Sequence, residues 1–346
     1  MQIYSSCSEI PEAGQTNATS QSGCSLAKLT THTGIDIFHN FESVPEKFHN
    51  GAVSVGKFDG VHLGHSLIFN RLKNFAARLS VPSVVVTFCP HPIAILRPDF
   101  GIRPIQTLAR KIELIKKFDV DAVIVVHPDK QFLQQSAETF FFDILCGQLR
   151  AKVVVCGRNF TFGHDRVGTA ESIKQYGNDT KNEIEIDIVE HVQIDGKVAS
   201  STLIRQLIQE GQIEEANKFL GLPYRLSGVV SAGDSRGRLL GFPTANLEQI
   251  ETIIPQHGVY AAIANFDGKN FASTVSIGTN PTFNQNTTRT EVFLHDFNGD
   301  IYGKELHVDF LANIRKITKF NSKEELVNQI QRDITQSNKI IAEYCK

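Results

Sequence analysis

His62 and His65 stand three residues apart in GKFDGVHLGH (56–65), directly after the apolar run AVSV, with Gly56, Gly60 and Gly64 around them. Imidazoles at that spacing have two chemical uses. They ligate a metal, or they donate to phosphate oxygens where a glycine-rich turn opens a helix. The plain alternative is a turn with partly solvated histidines, the default for HxxH alone. Cys89 and His91 in TFCPHP (87–92) widen the metal reading, but HxxH at a loop-to-helix turn is not HExxH on a helix. A P-loop fails at its last position: GAVSVGKF (51–58) fits GxxxxGK, yet Phe58 stands where Ser or Thr must hold magnesium. The phosphate reading accounts for more of the stretch. Gly60 and Gly64 admit a close ligand, and the following helix aims its orphan N–H groups and dipole at the same point.

Three further stretches carry polar groups in useful order. SSTLIR (200–205) starts a helix, with Ser201 suited to cap it, Thr202 adding a hydroxyl and Arg205 one turn on within reach of a phosphate. Alone, that pattern is a common helix start. GRNFTFGHDRVG (157–168) sets Asn159 beside Phe160 and Phe162, two rings able to frame a flat ligand, or equally a glycine-rich loop over buried aromatics. GRLLGFPTANL (237–247) places Thr244 and Asn246 two apart in an extended segment after Pro243, so that a hydroxyl and an amide point the same way. Such a pair suits magnesium and phosphate oxygens. Glu291, heading EVFLHDF, is a carboxylate able to act as a base, or a plain surface strand residue.

The elements that must position these groups fall into two textures. From Gly51 to Arg205, the runs AVSVG, SVVVTF, DAVIVV, KVVVC and EIEIDIV read as strands alternating with helical periods. In the first helix, Leu63, Leu67, Ile68, Leu72, Phe75, Ala76 and Leu79 share one face. This predicts a parallel sheet covered on both faces, with ligands outside the carboxyl ends of its strands. After Gly221 and Pro223 the chain turns to short β-runs (LSGVVSAG, GVYAAIANF, ASTVSIG, EVFLHDF, ELHVDFL) between turns such as FDGK and FNGD. That predicts an antiparallel barrel or sandwich. A closing helix over 321–345 carries Leu326, Ile330, Ile334 and Ile341. The expected organisation is a polar, unstructured tail over 1–35, an α/β domain over 36–221 and a β-domain over 222–346.

Composition narrows the function classes. A length of 346 residues suits about two domains, and a net charge of −2 gives no general pull toward nucleic acid or anionic membrane. No apolar run reaches the ~18 residues that span a bilayer. The N-terminus lacks the basic start and apolar core of a signal peptide. Six cysteines (Cys7, Cys24, Cys89, Cys146, Cys156 and Cys345) form no CxxC pair, which indicates thiols in a reducing compartment. A cytoplasmic chain is expected, monomeric or weakly homo-oligomeric, with small-molecule substrates and no nucleic-acid or membrane partner.

GKFDGVHLGH resembles the GxFDGxHxGH signature of the HxGH nucleotidyltransferases, in the form found in bifunctional riboflavin kinase/FAD synthetases. GRNFTFGHDRVG and SSTLIR are similar to that family's G-x-[DN]-F-x-F-G and SST-x-(I)R segments. GRLLGFPTANL resembles the riboflavin kinase signature, EVFLHDF its E-x-x-L-x-D-F strand, and IGTNPTF (277–283) its proline turn. Two positions depart: Lys57 replaces a frequent asparagine, and Ala199 an apolar branched residue. The resemblance spans about residues 50–345 and implies an α/β chain, a Rossmann-like HxGH nucleotidyltransferase domain followed by an antiparallel β-barrel riboflavin kinase domain with a C-terminal helix.

It further implies phosphorylation of riboflavin to FMN, then adenylyl transfer from ATP to FMN giving FAD and pyrophosphate, with Mg2+ at both sites. His62 and His65 would serve adenylyl transfer and Glu291 would be the kinase base. Gly56, Phe58, Asp59, Gly64, Ser201, Thr202, Arg205, Gly237, Arg238 and Gly241 would line ATP and its phosphates. Asn159, Phe160, Phe162 and Arg315 would meet flavin, and Thr244 with Asn246 would hold Mg2+. Rival readings are an HxGH transferase with a non-flavin acceptor, a non-catalytic flavin-binding protein, and metal-dependent hydrolysis at His62, His65, Cys89 and His91.

Overall fold

The computed structural model describes residues 34–179, 184–231, 237, 240–280 and 285–346. The tail expected over 1–35 thus lies outside the described residues up to 33, and Ile35 is already buried in the first core.

Five apolar runs form strands where their composition predicts them, joined by a sixth, β1 (Asp36–His39). The others are β2 (Ala52–Val55), β3 (Ser83–Phe88), β4 (Ala122–Val126), β5 (Val153–Gly157) and, after a small hairpin of β6 (Thr161–Phe162) and β7 (Gly168–Thr169), β8 (Glu185–Val189). They align in the order β1-β4-β3-β2-β5-β8, every pairing parallel. Every residue of β2 and β4 is buried, as a sheet covered on both faces requires. The strand order reverses at β2, so the crevice of this open sheet lies outside the carboxyl end of β2, where GKFDGVHLGH leaves it.

Helix α1 (Leu63–Leu79) follows that loop and buries Ile68, Phe69, Leu72 and Ala76, while Leu67 and Leu79 at the edges of the expected face are exposed. It ends at Ser80, left-handed with φ 54°, whose N–H returns to the carbonyls of Ala76 and Ala77. Further helices are α2 (Pro92–Leu96), α3 (Leu108–Lys116), α4 (Lys130–Leu133), α5 (Ala137–Thr139), which runs into a π-helical segment, and α6 (Ala170–Asp179). A two-stranded ribbon, β9 (Gln193–Ile194) and β10 (Lys197–Val198), precedes the hairpin of α7 (Ser201–Gln209) and α8 (Ile213–Leu220).

The second half closes completely. Strands β11 (Tyr224–Ser231), β12 (Ala245–Glu248), β13 (Gly258–Phe266), β14 (Lys269–Asn280), β15 (Gln285–Leu294) and β16 (Glu305–Arg315) form a barrel in the order β11-β12-β15-β14-β13-β16, all antiparallel. Strict alternation of buried and half-buried residues along β11 shows one face turned inward. Helix α9 (Lys323–Tyr344) lies on the barrel, and the two side chains it buries are polar, Asp333 and Ser337. Directional bonds seat it: Arg315 pairs with Asp333 at 2.7 Å, Thr274 Oγ1 and Ser337 Oγ meet at 2.8 Å, and His295 Nδ1 meets Asn338 Oδ1 at 2.8 Å.

The two halves share one apolar cluster. Ile204, Leu207 and Ile208 of α7 and Ile213, Ala216, Phe219 and Leu220 of α8 pack in it with barrel residues such as Tyr224, Tyr260 and Phe310. Polar bonds line its rim. Asn217 Nδ2 donates to Phe310 O at 2.9 Å, the Ile253 N–H donates to Pro104 O at 3.0 Å, and Arg225 binds Asp309 through two nitrogens.

Candidate active sites

The loop between β2 and α1 is bent by three left-handed residues, Phe58 (φ 46°), Gly60 (φ 93°) and Val61 (φ 40°). Two of these carry side chains that disfavour such a conformation, so tertiary bonds must impose it. Phe58 supplies one: its ring is buried in the core, edge-on to His65. The ring therefore lies beneath the loop, and Gly56 serves it, since a Cβ there would meet Phe58 Cζ at 2.8 Å. Asp59 supplies the rest. It is 4% exposed, accepts the Ile105 N–H at 2.9 Å through one oxygen and pairs with Arg205 at 2.6 Å through the other. Its carbonyl accepts the Ser201 hydroxyl at 2.8 Å. One aspartate thereby joins the loop to the start of α7. Burial pushes the Asp59 carboxyl above the usual carboxylate range, opposed by Lys111, Arg205, the Ile105 N–H and Lys57.

His62 is the N-cap of α1, and its Nδ1 accepts the Gly64 N–H at 3.2 Å. A Cβ on Gly64 would approach His62 Cε1 to 3.0 Å, so the glycine clears the space for the ring. The His62 and His65 rings stack with centroids 3.6 Å apart. Burial lowers His62 to about 4; burial, then His62, Lys111 and Lys57, holds His65 well below the ordinary histidine value. Both rings are neutral at pH 7. With Nδ1 of His62 accepting, its proton sits on Nε2, which is a donor. Buried Nδ1 of His65 has no hydrogen-bond partner.

Helix α7 is capped by Ser200, whose side chain accepts the Leu203 N–H, and not by Ser201. The adjacent serine takes the cap because its extended backbone faces the first turn, which leaves Ser201 for Asp59. Thr202 is exposed on that turn, and Arg205 Nε is buried without a partner. Two cations join this group beyond those singled out from the sequence. Lys111 on α3 is 8% exposed and donates to Lys57 O at 2.8 Å. Arg166, together with Lys57, Lys111 and Arg205, faces His91, which burial above all lowers to about 3. A usable signal existed for Lys111: it interrupts the apolar stripe of α3, three residues after Leu108 and four before Ile115. His91 caps α2 through Nδ1, and among the described residues no group of three or more His, Cys, Asp or Glu could hold a metal ion.

The aromatic pair is partly built into the core. Phe160 and Phe162 stack on each other at 5.3 Å, and Phe162 is buried against Phe140. Its ring is part of the core, while Asn159 is exposed at the loop surface.

In the barrel, Ala245 and Leu247 of β12 are buried and Thr244 and Asn246 are half-buried on the opposite side. Asn246 pairs directly across from Glu291 of β15, which puts their Cα atoms about 4.5–5.5 Å apart on one face. Hydroxyl, amide and carboxylate oxygens so grouped are the hard donor set Mg2+ takes. Gly237 closes the turn before them: Phe242 N–H donates to its carbonyl at 2.8 Å, and a Cβ would strike Phe242 O. Gly241, at φ 87°, faces open space, and Arg238 lies outside the described residues, as do 281–283 of the proline turn. Arg315 ends β16. Its Nε and NH2 bind Asp333 and its NH1 donates to Lys316 O at 3.1 Å, bonds that help to seat α9.

Comparison with known proteins assigns a family to each half of the chain. Residues 44–203 match the FAD synthetase family model and 220–341 the riboflavin kinase model. The chain is 35% identical over 287 residues to the bifunctional riboflavin kinase/FMN adenylyltransferase of Listeria monocytogenes, covering 82% of this chain and 90% of the relative. Its likeness to the proteins of the same description from Bacillus subtilis (34% identical; 86% and 95% covered) and Escherichia coli K12 (31%; 85% and 93%) is similar. A solved structure described as a macrolide-efflux protein from Streptococcus pneumoniae superposes with a TM-score of 0.78 at 34% identity, over 88% of this chain and 99% of that one. No described helix here is long and apolar enough to cross a membrane. The chain belongs to the bifunctional riboflavin kinase/FMN adenylyltransferase family.

Proposed function

We propose a division of labour between the two sites. The chain phosphorylates riboflavin to FMN and adenylylates FMN to FAD. The kinase step is assigned to the barrel face of Thr244, Asn246 and Glu291. There the ribityl hydroxyl oxygen attacks the γ-phosphorus of ATP, its proton passes to Glu291, and ADP leaves. Mg2+ held by Thr244 and Asn246 would neutralise charge on the β- and γ-phosphate oxygens.

The adenylyl step is assigned to the crevice beyond β2. An FMN phosphate oxygen bonds to the α-phosphorus of a second ATP as the bond to the bridging oxygen breaks, releasing pyrophosphate. His62 and His65 donate to the phosphates as neutral rings, and Arg205 supplies fixed positive charge, an electrostatic and positioning task with no covalent intermediate. One observation carries this reading: Asp59 draws Arg205 and Ser201 of α7 onto the loop that presents the stacked histidines. Asn159 at the loop surface is the flavin contact proposed for this domain.

The domain boundary is proposed at 221/222, with the α7–α8 hairpin the seam between the halves. A cytoplasmic setting, monomeric or weakly associating, without nucleic acid, completes the reading.

The test is incubation with riboflavin, ATP and magnesium, followed by chromatography of the flavins. FMN should appear first and FAD follow. Glu291→Gln should slow FMN formation at least about 100-fold, the low end for a general base, while supplied FMN is still adenylylated. His62→Ala with His65→Ala should let FMN accumulate without FAD. Equal loss of both products in either variant would overturn the assignment.

A further inference from the structure

Lysine is almost never buried without partners. Lys111 lies in the apolar stripe of α3, 8% exposed, and its Nζ donates to Lys57 O at 2.8 Å, Thr87 Oγ1 at 3.2 Å and Phe88 O at 3.4 Å. Thr87 Oγ1 itself donates to Lys57 O at 3.2 Å. These acceptors belong to two different strand ends: Lys57 leaves β2 and enters the histidine loop, and Thr87 and Phe88 end β3. The next residue after Lys57 is Phe58, the first of the three left-handed positions. The ammonium therefore sits where the loop departs from the sheet, and it fixes the direction of that departure.

We propose that Lys111 is a positioning residue for adenylyl transfer: its ammonium clamps the ends of β2 and β3 so that the loop delivers His62 and His65 to the triphosphate. The proposal rests on the assignment of the crevice beyond β2 given above. A second effect travels through space. The groups facing His65 are His62, Lys57, Lys111 and the Phe58 ring, and the Lys111 charge is among those that keep the imidazole neutral. It also opposes the rise of the Asp59 carboxyl. A packing role alone would need only the aliphatic stem.

Lys111→Met keeps that stem and removes the clamp and the charge. In the full-length chain with supplied FMN and ATP, kcat for FAD formation should fall about 100-fold, the loss expected when reacting groups are misplaced by about 1 Å. KM for ATP should stay within about three-fold of native, and riboflavin phosphorylation should be unchanged. The acid limb of kcat/KM should move to higher pH, because a positive charge facing His65 is gone. Lys111→Arg should restore activity at least about tenfold over the Met variant, since a guanidinium donates to the same carbonyls.

Native kcat in Lys111→Met, or an unmoved acid limb, would overturn the proposal. If the Met variant does not fold, the Arg variant decides: folded with more than a tenth of native kcat it supports the clamp, and folded but inactive it refutes it. The paired variant His62→Ala, His65→Ala runs alongside. Unchanged FAD formation there overturns the site itself, whereas loss there with native kcat in Lys111→Met overturns the role of Lys111 alone.

Discussion

The Asp59–Arg205 pair is asymmetric, and the asymmetry is measurable. The Asp59 side chain is 5% exposed and Arg205 21%, at 2.6 Å. Arg205→Met leaves the carboxylate stranded in the protein with the Ile105 N–H and more distant cations. Stranding a buried charge costs about 3–5 kcal/mol. The carboxyl can instead take a proton, and from its ordinary value of 3.8 that costs about 4 kcal/mol at pH 7, which caps the loss.

Asp59→Asn is milder. The amide oxygen still accepts from Ile105, and Arg205 can turn toward water, so about 1–2 kcal/mol is expected. The double variant should be less damaging than the sum of the singles by roughly 2 kcal/mol, because no charge is stranded.

The pH dependence has a definite sign. Without Arg205 the folded carboxyl titrates further above its unfolded value, so the deficit is full above the folded value, shrinks as pH falls through it and vanishes below the unfolded one. At pH 5 the cap falls to about 1.6 kcal/mol. Urea unfolding of the native chain and the three variants at pH 7 and pH 5, followed by circular dichroism, reads all of this. If Asp59→Asn proves as damaging as Arg205→Met, or the Arg205→Met deficit does not shrink at pH 5, the reasoning is wrong.

Three further outcomes are expected. Arg315→Met strands buried Asp333 beneath α9 and should cost about 3–5 kcal/mol in the unfolding of the barrel half, with riboflavin KM little changed if the residue only seats the helix. Asn246→Leu removes the amide opposite Glu291 and should weaken the dependence of FMN formation on magnesium concentration while supplied FMN is adenylylated at the native rate. Chelation of magnesium should stop both reactions and leave the circular dichroism unchanged, since the described fold is held by the chain's own bonds.

The parts of this architecture that were legible in the sequence are those with a period. The run AVSV, buried at all four positions, and the stripe with Ile68, Leu72 and Ala76 announce a parallel strand and its helix, although fully buried Phe69 lies outside the face read from the spacing. Strand β1 escaped because DIFH is four residues long with polar ends, and β12 because it sits inside a motif read for its side chains. The cap expected at Ser201 falls on Ser200, because two adjacent serines are equivalent until the backbone shows which one faces the turn. Phe162 and Arg315 illustrate a different limit. A ring or a guanidinium has the right chemistry for flavin or phosphate, but only packing reveals that Phe162 is enclosed by Phe140 and Phe160, and Arg315 by Asp333. Lys111 was visible in principle as a charge on an apolar stripe.

Helix α7 has two masters. Its Arg205 answers to Asp59 on the nucleotide loop, while Ile204, Leu207 and Ile208 are packed by the barrel. A gene cut that treats the halves as separable cassettes would leave one of them with an apolar wound and the other without its arginine. Drift in the barrel's packing residues is therefore screened by the chemistry of the other half, and a barrel borrowed from a distant relative should graft successfully only if the hairpin travels with it and the Arg205 position is reproduced.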